Sequence, residues 1–438
     1  MPMSQRSRYV LCWLLAVGTA AGYLYFSWHH FDDPDRRDGS RGHTFIDFGG
    51  QYLLGRMLVG GQGRHLYHRS SQRGVLEEAY PPQNQNPNQE TSDADRLMTS
   101  FMGNDDETER DSFGGPLYPP IQALWFYPLA WLPPQTAYRL LQLAIILGAF
   151  AAGLGLRLLS QGRIWWPLAA LAVILFPGFA GSLSLGQNSV FSLNVLIWGW
   201  VLVSRGRPVE GGLVWGLLAF KPVWAAAFLL FPLWTGRWRL AMAMLASGFG
   251  QIIFTLPLVG WHSWQDWLRV TQEAMKVSQT DEFWILRSRD LFTLPRRWLD
   301  FDSPVPDQQM AQTATLIGWG IWLVVIGMTT GVAVLRKCQS SPAAGPGFTF
   351  LFLGALLSCI HFMYYDVLLA ALPVFLLYAS PKLPPWPFHL LIAVLFLAPA
   401  IPALKLGEPP TETWCLLGLW ALSGWSWIRH NNHSTPDP

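Results

Sequence analysis

Apolar runs dominate this chain and recur at lengths that suit membrane crossing. Runs of about 18 or more apolar residues, which as helices at about 1.5 Å per residue cross a hydrocarbon core of about 30 Å, begin at Tyr9 and recur throughout the second half. The pattern predicts helices over residues 9–28, 136–156, 165–184, 189–204, 239–258, 313–335, 347–364, 366–379, 386–403 and 411–427. We therefore expect an all-α membrane protein.

Two segments interrupt this pattern. Lys221-Pro222 separates two apolar halves, 211–220 and 223–235, and neither half is long enough to cross a flat bilayer comfortably. The two halves therefore predict a hairpin of short helices with Lys221 at its tip. The aromatic segment 118–132 contains several prolines and predicts a re-entrant or juxtamembrane element.

Composition and charge support a membrane protein and give it a topology. Of the 438 residues, 51% are hydrophobic and 13% are charged, against about 25% charged in a soluble domain. The net charge of +2 gives no bulk field for nucleic acid, so no nucleic-acid partner is expected. Basic residues lie in the short connectors, which the positive-inside rule places in the cytoplasm. They are Arg6, Arg8, Arg157, Arg163, Arg205, Arg207, Arg237, Arg239, Arg336, Lys337, Lys382 and Arg429.

This topology predicts one polytopic transmembrane domain over residues 1–438, with about twelve crossings and both termini in the cytoplasm. Two long loops then lie outside, at 29–117 and 259–312, and the first carries short juxtamembrane helices. Within the first loop, 80–112 is polar, acidic and nearly free of large aliphatic residues, so it is predicted to be disordered.

Two isolated charges are the first candidates for chemistry, and each has a structural alternative. Asp47 precedes the amphipathic stretch 48–59, where it is either a helix N-cap or a general base toward a hydroxyl. Lys221 lies inside an apolar hairpin. Its ammonium either reaches toward an interface or binds a phosphate.

Two polar groups between helices are further candidates. His361 and Asp366 lie between two apolar runs and form either a hydrogen bond at a helix end or part of a catalytic site. Gln187 and Asn188 follow Gly186, and they either form a turn or bind sugar hydroxyls. The sequence contains no metal-ligand spacing, phosphate-cradling glycine loop or nucleophile elbow, so neither a metal nor a cofactor is expected.

An ordered set of motifs resembles the polyprenyl-phosphate-mannose-dependent mannosyltransferases of glycosyltransferase family 87, within the GT-C superfamily. The set spans most of the chain, in one order. It comprises Asp47-Phe48, Gly63-Arg64-His65-Leu66-Tyr67, Tyr118-Pro119-Pro120, Phe126-Tyr127-Pro128-Leu129, Leu132-Pro133, Gly186-Gln187-Asn188, Gly216-Leu217-Leu218-Ala219-Phe220-Lys221-Pro222, Arg237-Trp238-Arg239, His361 and Tyr365-Asp366.

The resemblance implies a GT-C-like bundle and an inverting transfer of a hexose, expected to be mannose, from a polyprenyl-phosphate sugar. The acceptor is a hydroxyl on a glycolipid, a glycan or another envelope molecule, and no cofactor is needed. It implies a multi-pass protein of the cell inner (plasma) membrane whose active site faces the extracytoplasmic side. The implied catalytic residues are Asp47, as general base, and His361. The residues implied to bind the donor phosphate or other parts of the substrates are Lys221, Tyr118, Gln187, Asn188, Tyr365 and Asp366.

Two departures from the family pattern leave the acceptor open. The acidic insert 80–112 is unusual, and Arg287-Ser288-Arg289-Asp290 stands where an Asn-Gln-Ser-like group is often found. The two arginines either bind an anionic acceptor or lie on a phospholipid surface, and we favour the surface.

The competing function is a transporter or flippase of a lipid-linked or polar solute. Many helices, a broken hairpin and an intramembrane lysine suit a transporter. The candidate polar groups, however, are predicted at the outer side instead of the midplane, which favours the enzyme. A structural or assembly partner without chemistry is a third alternative.

Overall fold

The computed structural model describes residues 4–31, 41–81, 91–103, 113–299, 308–336, 343–379, 384–403 and 409–430. Within these ranges the chain is helical apart from connecting loops and one antiparallel ribbon of two residues a strand. The ribbon pairs β1 (Met102–Gly103) with β2 (Gly114–Gly115). The predicted all-α fold is therefore confirmed for the described residues.

The helices fall into a long N-terminal half and a shorter C-terminal half. The first half contains α1 (Gln5–Phe31), α2 (Ile46–Val59), α3 (Arg69–Ala79), α4 (Asp93–Ser100), α5 (Ile121–Phe126), α6 (Pro134–Leu159), α7 (Trp166–Leu175), α8 (Phe179–Leu185), α9 (Ser189–Ser204), α10 (Pro208–Gly216), α11 (Pro222–Trp234) and α12 (Trp238–Val277). The second contains α13 (Glu282–Arg287), α14 (Thr293–Arg296), α15 (Gln308–Leu335), α16 (Pro346–Leu357), α17 (Ala371–Tyr378), α18 (Trp386–Leu397), α19 (Ala400–Ala403) and α20 (Thr411–His430).

Four described helices, α1, α6, α12 and α15, are long and apolar enough to cross a membrane alone. The pair α7 and α8 makes a fifth span if its two parts, bent by 71°, count as one. The remaining apolar helices are shorter, including α9, α10, α11, α16 and α18. The count of about twelve crossings therefore stays a prediction.

Three predicted helices are interrupted. The predicted helix over 386–403 breaks at Ala398 and Pro399, between α18 and α19. The prediction of a continuous helix over 165–184 is wrong, because the chain bends between α7 and α8 at Pro177 and Gly178. Proline lacks a backbone N–H donor, and Gly178 has a φ of 91°, which favours glycine. The predicted helix over 347–364 is also too long, because α16 ends at Leu357. A loop follows and leads into a 3₁₀ helix, Tyr364–Ala370.

The other two irregular segments break the helical pattern where the sequence predicts a break, whereas the hairpin and the re-entrant or juxtamembrane placement stay predictions. A 3₁₀ turn, Leu217–Phe220, follows α10, and Lys221 separates this turn from α11. In the proline-rich segment only the short α5 and a 3₁₀ turn, Leu129–Trp131, form. The chain thus places Lys221 at a helix break, as the Lys-Pro sequence predicts.

The predicted disorder of 80–112 is wrong for its central part. Residues 93–100 form α4, whose N-cap Ser92 accepts a hydrogen bond from the Asp95 backbone N–H. Leu97 and Met98 are buried. These few apolar residues are enough to stabilise α4 because they pack against apolar residues of neighbouring helices. Residues 82–90 and 104–112 lie outside the described residues.

Two hydrophobic cores meet at α2. The larger core joins the main bundle and contains an aromatic cluster around Trp200, Trp215 and Phe231. The second core joins α2 to α5 with one face of α12. Phe48 belongs to the first core and Leu53 to the second, so both faces of α2 are buried. The start of α2, where Asp47 lies, is fixed between them.

The close approach of α10 to α12 depends on a glycine and gives a test of the fold. A Cβ added at Gly212 would lie 2.4 Å from the Leu240 carbonyl oxygen. We predict that Gly212→Leu lowers the free energy of unfolding by about 1–3 kcal/mol or more, since two backbones must separate. Unfolding in detergent measures this. The control Gly331→Leu on α15, where a Cβ meets nothing within 4 Å, should unfold as the parent does; equal stability of both variants would contradict the contact.

Candidate active site

Asp47 is not a helix cap. The N-cap of α2 is Phe45, and no side chain caps this helix. Asp47 lies in the first turn, and its Oδ1 accepts hydrogen bonds from the Gln187 Nε2 amide and from the Tyr118 hydroxyl, the latter at 3.4 Å. Gln187 Nε2 also donates to the Tyr118 hydroxyl oxygen at 3.0 Å. The carboxylate thus joins three segments that are distant in sequence, and its side chain remains partly accessible.

Gln51, one turn beyond Asp47, aligns α2 with the turn that carries Gln187. Its Nε2 donates to the Asp47 carbonyl at 2.7 Å and to the Gly186 carbonyl at 3.0 Å. Its Oε1 accepts from Gln122 Nε2 at 2.6 Å and from Asn188 Nδ2 at 3.4 Å. Gly186 has a φ of 65° and ends α8, so the segment is a turn as predicted, and the turn also delivers Gln187 to Asp47.

The orientations of these amides follow from their partners. Backbone carbonyls accept only, so Gln51 must direct its NH₂ group toward them, and its oxygen then faces the NH₂ groups of Gln122 and Asn188. An ionised Asp47 fixes Gln187 in the same way. The amide oxygens of Gln122, Gln187 and Asn188 are buried and have no protein donor among the described residues. A buried acceptor without a donor lowers the stability of the fold by about 1–3 kcal/mol. Each of these oxygens would therefore be stabilised by a hydroxyl or a water that donates to it.

Lys221 and Asp366 form a buried ion pair. The Lys221 Nζ lies 2.8 Å and 3.0 Å from the two Asp366 carboxylate oxygens. Ser189, at the start of α9, donates to the same carboxylate at 2.7 Å. Lys221 is 8% exposed and Asp366 is fully buried. Of the two alternatives for Lys221, the one in which it reaches toward an interface is therefore wrong, because a carboxylate neutralises the ammonium inside the protein.

His361 lies near this ion pair. The sequence suggested a hydrogen bond between His361 and Asp366, but Asp366 accepts its hydrogen bonds from Lys221 and Ser189 instead. His361 is partly accessible, and its ring is 5.5 Å from the ring of Trp284. Backbone pairing ties its loop to the chain after α13: Ser288 forms a β-bridge with Met363.

Tyr365 completes the contacts among the sequence-predicted residues. The Lys221 Nζ lies 5.2 Å from the centroid of the Tyr365 ring, a distance at which a cation is attracted to an aromatic face. The structure thus links Asp47 with Tyr118 and Gln187, and links Lys221 with Asp366 and Tyr365. The adjacent residues Gln187, Asn188 and Ser189 connect the two groups.

Burial and the nearby positive charge of Lys221 shift the pKa of the Asp47 carboxyl in opposite directions. Loss of hydration raises the pKa of Asp47 from its ordinary value to about 6. The positive charge of Lys221 and the hydrogen bonds from Gln187 and Tyr118 oppose this rise, while the charge of Asp366 adds to it. A carboxyl with a pKa near 6 is ionised at neutral pH and is a stronger base than an ordinary aspartate.

Sequence reasoning missed three residues here and misplaced one. Gln51, Gln122 and Ser189 are buried and join the networks; an isolated glutamine or serine in an apolar run, near Asp47, Tyr118 or Asn188, was the available signal. Arg289, expected on a phospholipid surface, instead forms a buried ion pair with Glu412 at 2.8 Å. That pair fastens the segment after α13 to α20.

No group of three or more His, Cys, Asp or Glu side chains among the described residues has the arrangement of a metal site. The polar groups gathered here are instead one accessible carboxylate, one compensated cation, a histidine, tyrosine hydroxyls and amides. Such a set can accept a proton, bind hydroxyls and stabilise an anion.

The ion pair predicts an asymmetric response to mutation. Lys221→Met leaves the Asp366 carboxylate buried and unpaired, which typically costs about 3–5 kcal/mol. The double variant Lys221→Met, Asp366→Leu removes both charges and should recover most of that loss. Unfolding in detergent compares the parent with both variants. A single variant as stable as the parent would show that the pair does not fasten this part of the fold.

A comparison with protein families matches the part of the chain that contains several of these site residues. The model of glycosyltransferase family 87 matches residues 117–361, more than half of the chain. The match includes Tyr118, Gln187, Lys221 and His361, while Asp47 and Asp366 lie outside it. No curated protein and no solved structure matches the chain. The chain belongs to glycosyltransferase family 87, and it is a membrane glycosyltransferase.

Proposed function

We propose that this protein transfers a hexose from a polyprenyl-phosphate sugar to an extracytoplasmic hydroxyl, with inversion at the anomeric carbon and with Asp47 as general base. The observation that carries the proposal is the position of Asp47: a partly accessible carboxylate, held by Tyr118 and Gln187, within the electrostatic influence of Lys221 and Asp366. The resemblance noted in the sequence supplies mannose as the expected sugar.

Asp47 takes the proton of the acceptor. The acceptor oxygen forms a bond to the anomeric carbon, the bond from that carbon to the phosphate oxygen breaks, and the acceptor proton moves to the carboxylate. One displacement of this kind inverts the anomeric configuration. The Gln187 and Tyr118 donors hold one carboxylate oxygen, which leaves the other oxygen for the acceptor hydroxyl.

Lys221 stabilises the leaving phosphate. Charge on the lipid phosphate grows in the transition state, so a fixed cation there lowers the barrier more than it strengthens ground-state binding. The ammonium has three N–H donors, and two of them bind Asp366. No described residue accepts from the third, so it can donate to a phosphate oxygen while Asp366 keeps the cation in place. His361 gives a second contact to the phosphate or to a hydroxyl.

Amide oxygens and tyrosines bind the sugars. The oxygens of Gln187, Asn188 and Gln122 are buried and lack protein donors among the described residues, so these side chains must shift when the substrates bind before they can accept from sugar hydroxyls. Tyr118 and Tyr365 border the two charged groups. Acceptor groups therefore gather near Asp47 and a cation lies near Asp366, which suits a ligand with hydroxyls at one end and a phosphate at the other.

The membrane setting of this reaction is also a proposal. The site faces the extracytoplasmic side of the plasma (inner) membrane, with both termini in the cytoplasm, so that a lipid-anchored donor meets an envelope glycolipid or glycan at the bilayer surface. Membership of a glycosyltransferase family favours this reaction over the transporter or flippase alternative.

Substitution of the proposed base separates catalysis from folding. Asp47→Asn keeps the shape of the side chain, and its amide oxygen can still accept weaker hydrogen bonds from Gln187 and Tyr118. The amide cannot take a proton from the acceptor. We expect sugar transfer by purified protein from synthetic polyprenyl-phosphate mannose to fall by roughly a hundredfold or more, with thermal stability near that of the parent. Full transfer by a folded Asp47→Asn variant would exclude Asp47 as the base.

The raised pKa of Asp47 predicts the acid side of the pH profile. A base must be deprotonated to act, so kcat/KM should be nearly constant above about pH 6 and fall about tenfold per pH unit below it. The residual activity of Asp47→Asn serves as control and should lack this inflection. An inflection that persists unchanged in Asp47→Asn would assign the titration to another group.

A further inference from the structure

An apolar groove lies between α5 and α12, apart from the Asp47 network. Its volume is about 290 Å³, close to the lower limit of about 300 Å³ for small-molecule sites. Ile121, Leu124 and Trp125 form one wall, and Ser247, Gly250, Gln251 and Phe254 form the other. A groove of this size and lining fits a short stretch of hydrocarbon chain.

One side of the groove belongs to a membrane-facing helix. The wall on α12 is part of a helix long and apolar enough to cross the bilayer. Neighbouring side chains on this helix are exposed: Phe249 is 59% exposed, Ile253 66% and Phe254 70%. Large apolar side chains exposed on a helix of this length and composition suit contact with lipid, and a hydrocarbon chain could then enter the groove from the bilayer.

The other side of the groove adjoins the proposed site through two short stretches of chain. The α5 wall begins at Ile121, soon after Tyr118, whose hydroxyl accepts from Gln187. The Trp125 ring lies 5.4 Å from the ring of Phe220, the residue before Lys221. The groove wall at Trp125 therefore borders the residue that precedes Lys221, whose ammonium the proposed function assigns to the donor phosphate.

We infer that this groove binds the isoprenoid chain of the donor next to its phosphate, an assignment that rests on the proposed function. A membrane phospholipid is the alternative occupant, but its chain has no reason to end beside Lys221. Lipid tails are as apolar as the groove, so binding gains from packing and not from the hydrophobic effect. The groove thus contributes a moderate part of the affinity and fixes the direction from which the donor enters.

Gly250 leaves the groove open and allows it to be filled. A Cβ at Gly250 meets nothing within 4 Å, and leucine is a better helix former than glycine, so Gly250→Leu should fold. Gly327→Leu on α15 is the matched control, because that glycine is likewise exposed with nothing within 4 Å of a Cβ. Equal thermal unfolding of the two variants in detergent establishes that both are folded.

The experiment compares two donors: polyprenyl-phosphate mannose with a long isoprenoid chain, and an analogue with a single isoprene unit. For Gly250→Leu we expect KM for the long donor to rise about tenfold with kcat little changed, and KM for the short donor to stay at the parent value. Gly327→Leu should leave both values unchanged.

Four outcomes would overturn the assignment. An unchanged KM for the long donor, or equal rises for both donors, would exclude the chain from the groove. Loss of a copurified phospholipid from Gly250→Leu in native mass spectrometry, with no change in either KM, would assign the groove to membrane lipid. Transfer from neither donor by the parent protein would instead contradict the proposed function, and the groove assignment would fail with it.

Discussion

The ion pair between Lys221 and Asp366 is the interaction on which the arrangement of the site depends. A buried ammonium or carboxylate is costly without a partner, so the chain break at Lys221 and the 3₁₀ helix that carries Asp366 must meet. Ser189 binds the same carboxylate and starts α9. Through Gln187, two residues before Ser189, this fixed point also determines where Asp47 receives its hydrogen bonds.

The result is a site with separated roles for its charges. Asp47 is held by neutral donors and stays partly accessible, which suits a proton acceptor. Lys221 is held by a carboxylate, so it remains in place when no anion is bound. A compensated cation binds a phosphate less strongly in the ground state than a bare one. It still responds to the charge that develops on a leaving phosphate, and this difference favours catalysis over tight binding.

Much of the fold was predictable from sequence because hydrophobic length and helix breakers act locally. The helix 189–204 was predicted with the bounds that α9 has, and Lys221-Pro222 was predicted to break its hairpin. The bend at Pro177 and Gly178 was missed, although both residues signal a break, since the apolar run continues across them. The helix α4 was missed because its few apolar residues form a core only with distant segments.

The site was predictable as a set of residues but not as a set of contacts. Asp47, Lys221, His361 and Asp366 were chosen as isolated polar groups in apolar surroundings, and the structure brings them near one another. Their partners depend on packing between segments far apart in sequence, so the sequence could not pair Asp366 with Lys221 in place of His361. Gln51 and Gln122 had no motif of their own, and only the fold gives them a role.

The proposed reaction is a single displacement of a lipid phosphate by an activated hydroxyl, so the stereochemistry of the product distinguishes it from a two-step transfer. Purified protein in lipid vesicles is given polyprenyl-phosphate mannose of known anomeric configuration and a hydroxyl acceptor, and the anomeric configuration of the new linkage is determined by NMR. We predict a product of opposite configuration, with release of one polyprenyl phosphate per sugar transferred. Retention of configuration, or transfer from a nucleotide sugar without any lipid-phosphate donor, would contradict the mechanism.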